Sequence, residues 1–245
     1  MIRWFLASLL TLLPLVSAVA ADCRDCPQMV TVTGGLGQLG DDTTPFTVRV
    51  ASFAIARTET TVRQWKTCAA EGGCKALPAD LRWKDDDMPM THVSFADAQS
   101  YAVWLTRKTG QPYRLPTEAE WEFAARAGTN TLFPWGAGME EGRAVCQHCD
   151  PRFDHRPAPA ATMQPNPWGL YDMNGNVWEW TLDCWKPSHQ GRPRDGIAVS
   201  EPGCQKHVVK GGSWYFVPYQ SRSASRVGED GRSLGYDIGF RVVRE

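Results

Sequence analysis

Apolar and polar positions alternate or recur with a readable period only in the first half of the chain. Residues 29–32 alternate like a short strand and run into the glycine turn Gly34-Gly35-Leu36-Gly37. No Gly-Lys-Ser/Thr follows those glycines, so they are not a phosphate loop. Residues 46–55 alternate again through Phe46, Val48, Val50, Phe53 and Ile55, predicting one further strand. Three helices follow, each announced by its own cap. Thr61 with Gln64 forms a capping box before Val62, Trp65 and Cys68, and Gly72 ends that helix. Ser94 caps a second helix, with Asp97 three residues on and Ala98, Tyr101, Ala102 and Leu105 at helical spacing up to Gly110. Thr117 with Glu120 opens a third, carrying Trp121, Phe123, Ala124 and Ala125 before Gly128. Beyond Thr129 the periodicity fades into Gly-, Pro- and Trp-rich sequence. Only residues 177–180, 207–209 and 240–243 look like strands. The pattern predicts an α+β fold of low regular structure.

Such a fold needs other supports, and the cysteines supply them. Arg3, the apolar run 4–16 and Ala18-Val19-Ala20 have the form of a signal peptide over residues 1–21, leaving 22–245 as one exported domain. No later stretch approaches the ~18 apolar residues of a membrane span. All eight cysteines fall after that cleavage point, and an even count in an oxidising compartment reads as disulfides. Cys68 and Cys74 flank a helix exit, and Cys184 and Cys204 bracket a Pro/Gly/Arg-rich loop. The pairs Cys23/Cys26 and Cys146/Cys149 are expected to bond crosswise. A four-thiolate zinc site is the alternative, disfavoured by the compartment. Net charge is −1 with both signs interspersed, which excludes a nucleic-acid stripe or a polybasic membrane patch. The five histidines show no ligand spacing, no nucleophile elbow or zincin motif occurs, and Glu118, Glu120 and Glu122 read as helix charges.

Several blocks together carry a resemblance. Tyr113-Arg114-Leu115-Pro116-Thr117-Glu118-Ala119-Glu120-Trp121-Glu122, Gly169 through Trp180, Lys210-Gly211-Gly212-Ser213-Trp214 and Gly239-Phe240-Arg241 stand in the order seen in the formylglycine-generating enzyme (sulfatase-modifying factor) family. Glu59-Thr60-Thr61 and Val93 through Ala98 fit as well. The chain resembles that family over nearly all of its mature length. The resemblance implies a compact irregular fold related to C-type lectins, with a groove on one face. It also implies a structural calcium held by Asp172, Gly175, Val177 and Glu179. Glu179 lies between two tryptophans, where a buried anion needs a partner. A second calcium site of the family would need an asparagine where this chain has Val145.

Catalytic relatives bind copper(I) through two cysteines shortly after the Gly-Gly-Ser motif. Here those positions are Phe216 and Ser221, and no cysteine follows Cys204. A soft copper(I) ion needs thiolates, so neither copper nor formylglycine synthesis is expected. The resemblance then implies a binding or regulatory protein. Its groove would be lined by Trp214, Tyr215, Phe216, Tyr219, Arg222 and Arg226, gripping a periplasmic or inner-membrane protein such as a type VI secretion Ser/Thr kinase. The alternative is an oxidase like the family branch that matures the siderophore pyoverdine without copper cysteines.

Overall fold

Three capping boxes organise the helices of the computed structural model, which describes residues 22–40 and 43–245. The expected signal peptide lies outside the described residues. In chain order the elements are β1 (Met29–Val32), β2 (Gly35–Leu39), β3 (Phe46–Val50), β4 (Phe53–Ala56), α1 (Val62–Ala70), α2 (Phe95–Thr109), β5 (Tyr113–Arg114), α3 (Glu118–Arg126), β6 (Trp178–Cys184), β7 (Lys206–Lys210), β8 (Arg226–Asp230), β9 (Ile238–Gly239) and β10 (Val243–Arg244). Thr61, Ser94 and Thr117 each accept from the backbone N–H three residues on, and Gln64, Asp97 and Glu120 bond back. Gly110 closes α2 with φ 72°, where a side chain would be strained. In α3 the left-handed stop is Ala127 at φ 47°, one residue before the glycine that sequence favours.

The strands form three small sheets: β1-β4-β10-β5, the hairpin β2-β3, and β8-β7-β6-β9. The stretch 46–55 is therefore two strands in two sheets, not one. The break at Ala51-Ser52 is set by Gly34, whose N–H donates to Ser52 Oγ (3.0 Å) and where an added Cβ would lie 2.4 Å from the Val50 carbonyl. Of the predicted 240–243 strand only Val243 is in a ladder. β8 escaped sequence reading because Arg226-Val227-Gly228-Glu229-Asp230 has no apolar alternation. Trp65, Tyr101, Trp180 and Phe240 centre one apolar cluster; Trp121, Ile55 and Val243 centre a second behind β3 and β4.

All eight cysteines are in disulfides. Cys68–Cys74 and Cys184–Cys204 pair as expected. The crosswise expectation fails: Cys23 bonds Cys26, and Cys146 bonds Cys149. Each pair closes a tight turn, with Cys26 N–H on the Cys23 carbonyl (3.2 Å) and Cys149 N–H on the Cys146 carbonyl (3.0 Å). That turn brings both Cα pairs to 5.1 Å, within bridging range. No thiolate remains for the alternative zinc site. Four bridges, and no described helix long and apolar enough to cross a membrane, accord with an exported protein.

Candidate functional site

Two neighbouring features hold the sequence-predicted site residues. The first is the turn ahead of β6. Asp172, Gly175 and Asn176 all have positive φ, and Gly175 is required because its Cβ would meet the Val145 carbonyl at 2.5 Å. Glu59, fully buried beside α1, fixes the turn: its carboxylate accepts from Asn176 Nδ2 (2.8 Å) and from the Val177 N–H (3.2 Å). Asn176 Oδ1 in turn accepts from the Ala158 N–H (2.9 Å).

Glu179 has the partner its burial demands, and that partner is a side chain. Arg241 reaches it from Nε (2.7 Å) and Nη2 (2.6 Å), and Trp121 Nε1 donates at 2.7 Å. Both members of the ion pair are 0% exposed. The sequence argument that Glu179 calls for a metal is thus answered by Arg241. Asp172 is different. One carboxylate oxygen accepts from the Ala161 N–H (2.7 Å), while Oδ1 is buried with no hydrogen-bond partner. Burial pushes its pKa up to about 6, and burial together with Asp172 and Glu179 raises Glu59 well above the usual carboxylate range. Among the described residues, the Gly175 and Val177 carbonyls accept no hydrogen bond from loop backbone or side chains. An orphaned carboxylate oxygen and two free carbonyls are hard donors that suit a cation such as calcium. The groups that would hold such an ion are Asp172 Oδ1 and the Gly175 and Val177 carbonyls, and at Glu179 a cation would share the carboxylate with Arg241. No described trio of His, Cys, Asp or Glu side chains forms a ready-made metal cage.

The second feature follows β7. Gly211 and Gly212 take φ 97° and 77°, turning the chain back over the first site. The Gly175 N–H donates to the Gly211 carbonyl (2.8 Å) and the Trp214 N–H to the Asn176 carbonyl (2.9 Å), so the two features share a framework. Ser213 Oγ donates to Asp237 (2.8 Å), whose pKa is raised chiefly by burial. Trp214, buried, packs edge-on to Trp83 (5.1 Å) and Tyr215 (5.5 Å) and tilts onto Tyr236 (5.7 Å); its indole N–H is buried without an acceptor. Phe216 points inward onto Trp178 (6.0 Å). Ser221 Oγ is buried, without a partner, at 2.6 Å from where a Cβ on Gly212 would stand. Phe216, half-buried, thus packs on this floor with one face, and Ser221 is buried within it.

Outside this floor lies an open groove of ≈ 610 Å³, lined by Gln147, His155, Tyr215, Phe216, Val217, Tyr219 and Gln220. Tyr215 and Tyr219 are 52% and 66% exposed. Arg222 stands beside it, its guanidinium 3.5 Å from the Tyr219 ring centroid. Arg226 does not belong to the groove. It turns away to Glu118 (Nε 2.7 Å) and the Lys186 carbonyl (2.6 Å) and lies over Trp185. Trp83, Tyr236, Gln147 and His155 come from distant segments, and no motif in the sequence marks them.

Glu118 and Glu122 are not solvated helix charges. Glu118 is buried among Lys210, Arg192 and Arg226, and Glu122 takes Lys210 Nζ (2.9 Å) and Arg126 (2.9 Å). Against the cost of burial, those three cations hold Glu118 down at about 2. Only Glu120, which closes the α3 cap and pairs with Arg114, acts at a helix end as expected.

A sequence profile described as a sulfatase-modifying factor enzyme 1-like domain matches residues 16–245. The chain is 34% identical over 174 residues to the formylglycine-generating enzyme of Bos taurus, covering 65% of this chain and 44% of that protein. It is 34% identical over 171 residues to the inactive C-alpha-formylglycine-generating enzyme 2 of Mus musculus, covering 64% and 49%. The chain thus spans about half the length of the curated relatives it matches. Among solved structures, PvdO from Pseudomonas aeruginosa superposes with a TM-score of 0.86 at 31% identity, covering 95% of this chain and 100% of that one.

Proposed function

Because the chain belongs to the formylglycine-generating enzyme family and yet has Phe216 and Ser221 at the copper-binding positions, we propose that it is an exported, non-catalytic binding protein that regulates a partner in the periplasm. The observation that carries this reading is the packing at those two positions. Phe216 lies against Trp178 and Ser221 against Gly212, and neither side chain offers a thiolate for copper. The frame of the site is kept while its redox chemistry is gone. The working surface is the aromatic groove of Tyr215, Phe216 and Tyr219 with Arg222. Its partner is a periplasmic or membrane-anchored protein, and the sensor segment of a type VI secretion Ser/Thr kinase is the first to test.

Calcium has a structural part in this proposal. Asp172 Oδ1 and the Gly175 and Val177 carbonyls would hold it, with Glu179 shared between the ion and Arg241. The ion would neutralise a buried carboxylate and stiffen the turn beneath Trp214.

The test is co-purification from periplasm and inner membrane with wild type and with folded Tyr215→Ala and Tyr219→Ala variants, each captured protein then being purified and its affinity measured. A partner that binds wild type and loses about thirtyfold on either truncation supports the proposal, because truncated anchors typically cost ~2 kcal/mol. Equal binding by both variants would overturn it.

A second reading is an oxidase that works without copper cysteines. It rests on the family resemblance of the sequence, not on any group seen in the groove. Turnover of an exported peptide with consumption of oxygen, abolished by groove variants, would favour it over the regulatory reading.

A further inference from the structure

Several arginines near the core of this protein are matched to acids: Arg114 to Glu120, Arg126 to Glu122, Arg192 and Arg226 to Glu118, Arg241 to Glu179. Arg57 meets no acid but spends its nitrogens on the Gly169 carbonyl, the Gln28 side chain and the Tyr171 hydroxyl. Arg222 has neither arrangement. Its Nε donates to the Tyr219 carbonyl (2.7 Å) and its guanidinium lies over the Tyr219 ring, while among the described residues it meets no carboxylate and its two terminal nitrogens have no acceptor. A guanidinium fixed through Nε and stacked on a ring has already lost much of its rotamer freedom. What remains is a fork suited to bidentate recognition of an anion.

The groove beside it has the complementary character. No carboxylate lines it; the polar groups are the Gln147 and Gln220 amides and His155, and the apolar ones include half-exposed Tyr215 and Val217. Asp154, which accepts from the His148 N–H (3.2 Å), is taken up by His148 (3.3 Å) and His155 (3.6 Å). Flanking amides suit the N–H and C=O groups of an extended backbone, which a purely apolar ligand would not use.

Resting on the reading of this groove as a binding surface, we propose that its ligand is an extended peptide segment bearing an acidic side chain. The carboxylate sits on the terminal nitrogens of Arg222, and an adjacent apolar or aromatic side chain lies against Tyr215 and Val217.

The experiment is calorimetric titration of the intact, oxidised protein with acetylated, amidated hexapeptides. Each carries one phenylalanine and one glutamate at spacings from one to four residues, beside partners in which glutamine replaces the glutamate. At least one glutamate peptide should bind about tenfold or more tightly than its glutamine partner, the usual worth of a charge-assisted pair. Added salt should weaken only the glutamate peptide. Arg222→Gln, shown folded by its melting curve, should erase the difference while keeping the weaker glutamine-peptide affinity, and Arg222→Lys should restore part of it. Equal affinities for the two peptides, or an unchanged ratio in Arg222→Gln, would overturn the acidic-ligand inference and leave the groove reading standing. No binding by any peptide would overturn both.

Discussion

Replacing Asp172 by Asn should stabilise this protein at neutral pH, although it removes a charged residue from a buried site. The Asp172 pKa is pushed up to about 6 from 3.8, chiefly by burial, because Oδ1 has lost water and gained no donor. An acid whose folded pKa lies above its unfolded value favours folding fully below the unfolded pKa, and that advantage is lost as pH rises through the folded one. That rise corresponds to a cost on the order of 3 kcal/mol above about pH 6. Asparagine keeps an acceptor for the Ala161 N–H and tolerates the φ of 58°. Its NH₂ group, in place of Oδ1, offsets about 1 kcal/mol as an unpaired donor, leaving a net gain of about 2 kcal/mol. Urea unfolding in chelator at about pH 8 and about pH 4 measures this, since the gain should be present at the first and absent at the second. Calcium should reverse the order: wild type gains stability by mass action, and Asp172→Asn gains much less. A variant less stable than wild type at both pH values in chelator would refute the reasoning about the orphaned oxygen. A calcium response equal in both proteins would refute the site.

Two further outcomes follow from buried groups. Glu118→Gln leaves Arg192, Arg226 and Lys210 around a neutral side chain and should cost about 3–5 kcal/mol of unfolding free energy in urea, whereas Glu120→Gln, whose amide oxygen can still accept from the Thr117 N–H and whose partner Arg114 reaches solvent, should cost about 1 kcal/mol. Exported protein treated with an alkylating agent should gain no mass without reduction and eight additions after it; labelling of four or more cysteines beforehand would contradict the local pairing of Cys23–Cys26 and Cys146–Cys149.

What sequence could reveal depended on how local the signal was. The three helices were legible to the residue at their N-termini because Thr61, Ser94 and Thr117 act on backbone three positions away. Strand β8 and the split of β3 from β4 were not, since they depend on Trp185 packing at Gly228 and on Gly34 meeting Val50, contacts between distant segments. In the candidate site, Asp172, Gly175, Val177 and Glu179 were put forward from a motif. The motif gave no sign that Arg241, 62 residues further on, would hold Glu179. Arg226 was assigned to the groove through the family resemblance, but the chain leaves the 3-10 turn Pro218–Ser221 and enters β8 at Arg226, where a distant partner, Glu118, takes the side chain. The two Cys-x-x-Cys pairs were misassigned because sequence does not show the turns that close them.

Loss of the oxidase chemistry with retention of the frame is read most simply with copper. Purified protein, reconstituted with copper(I) under a thiol reductant that leaves the disulfides intact, is incubated in air with a sulfatase-type cysteine peptide and followed by mass spectrometry. No stoichiometric copper binding and no mass change from cysteine to formylglycine in the peptide are expected, because Phe216 and Ser221 offer no thiolate. Formylglycine formed in proportion to protein, and surviving metal-free purification controls, would contradict it.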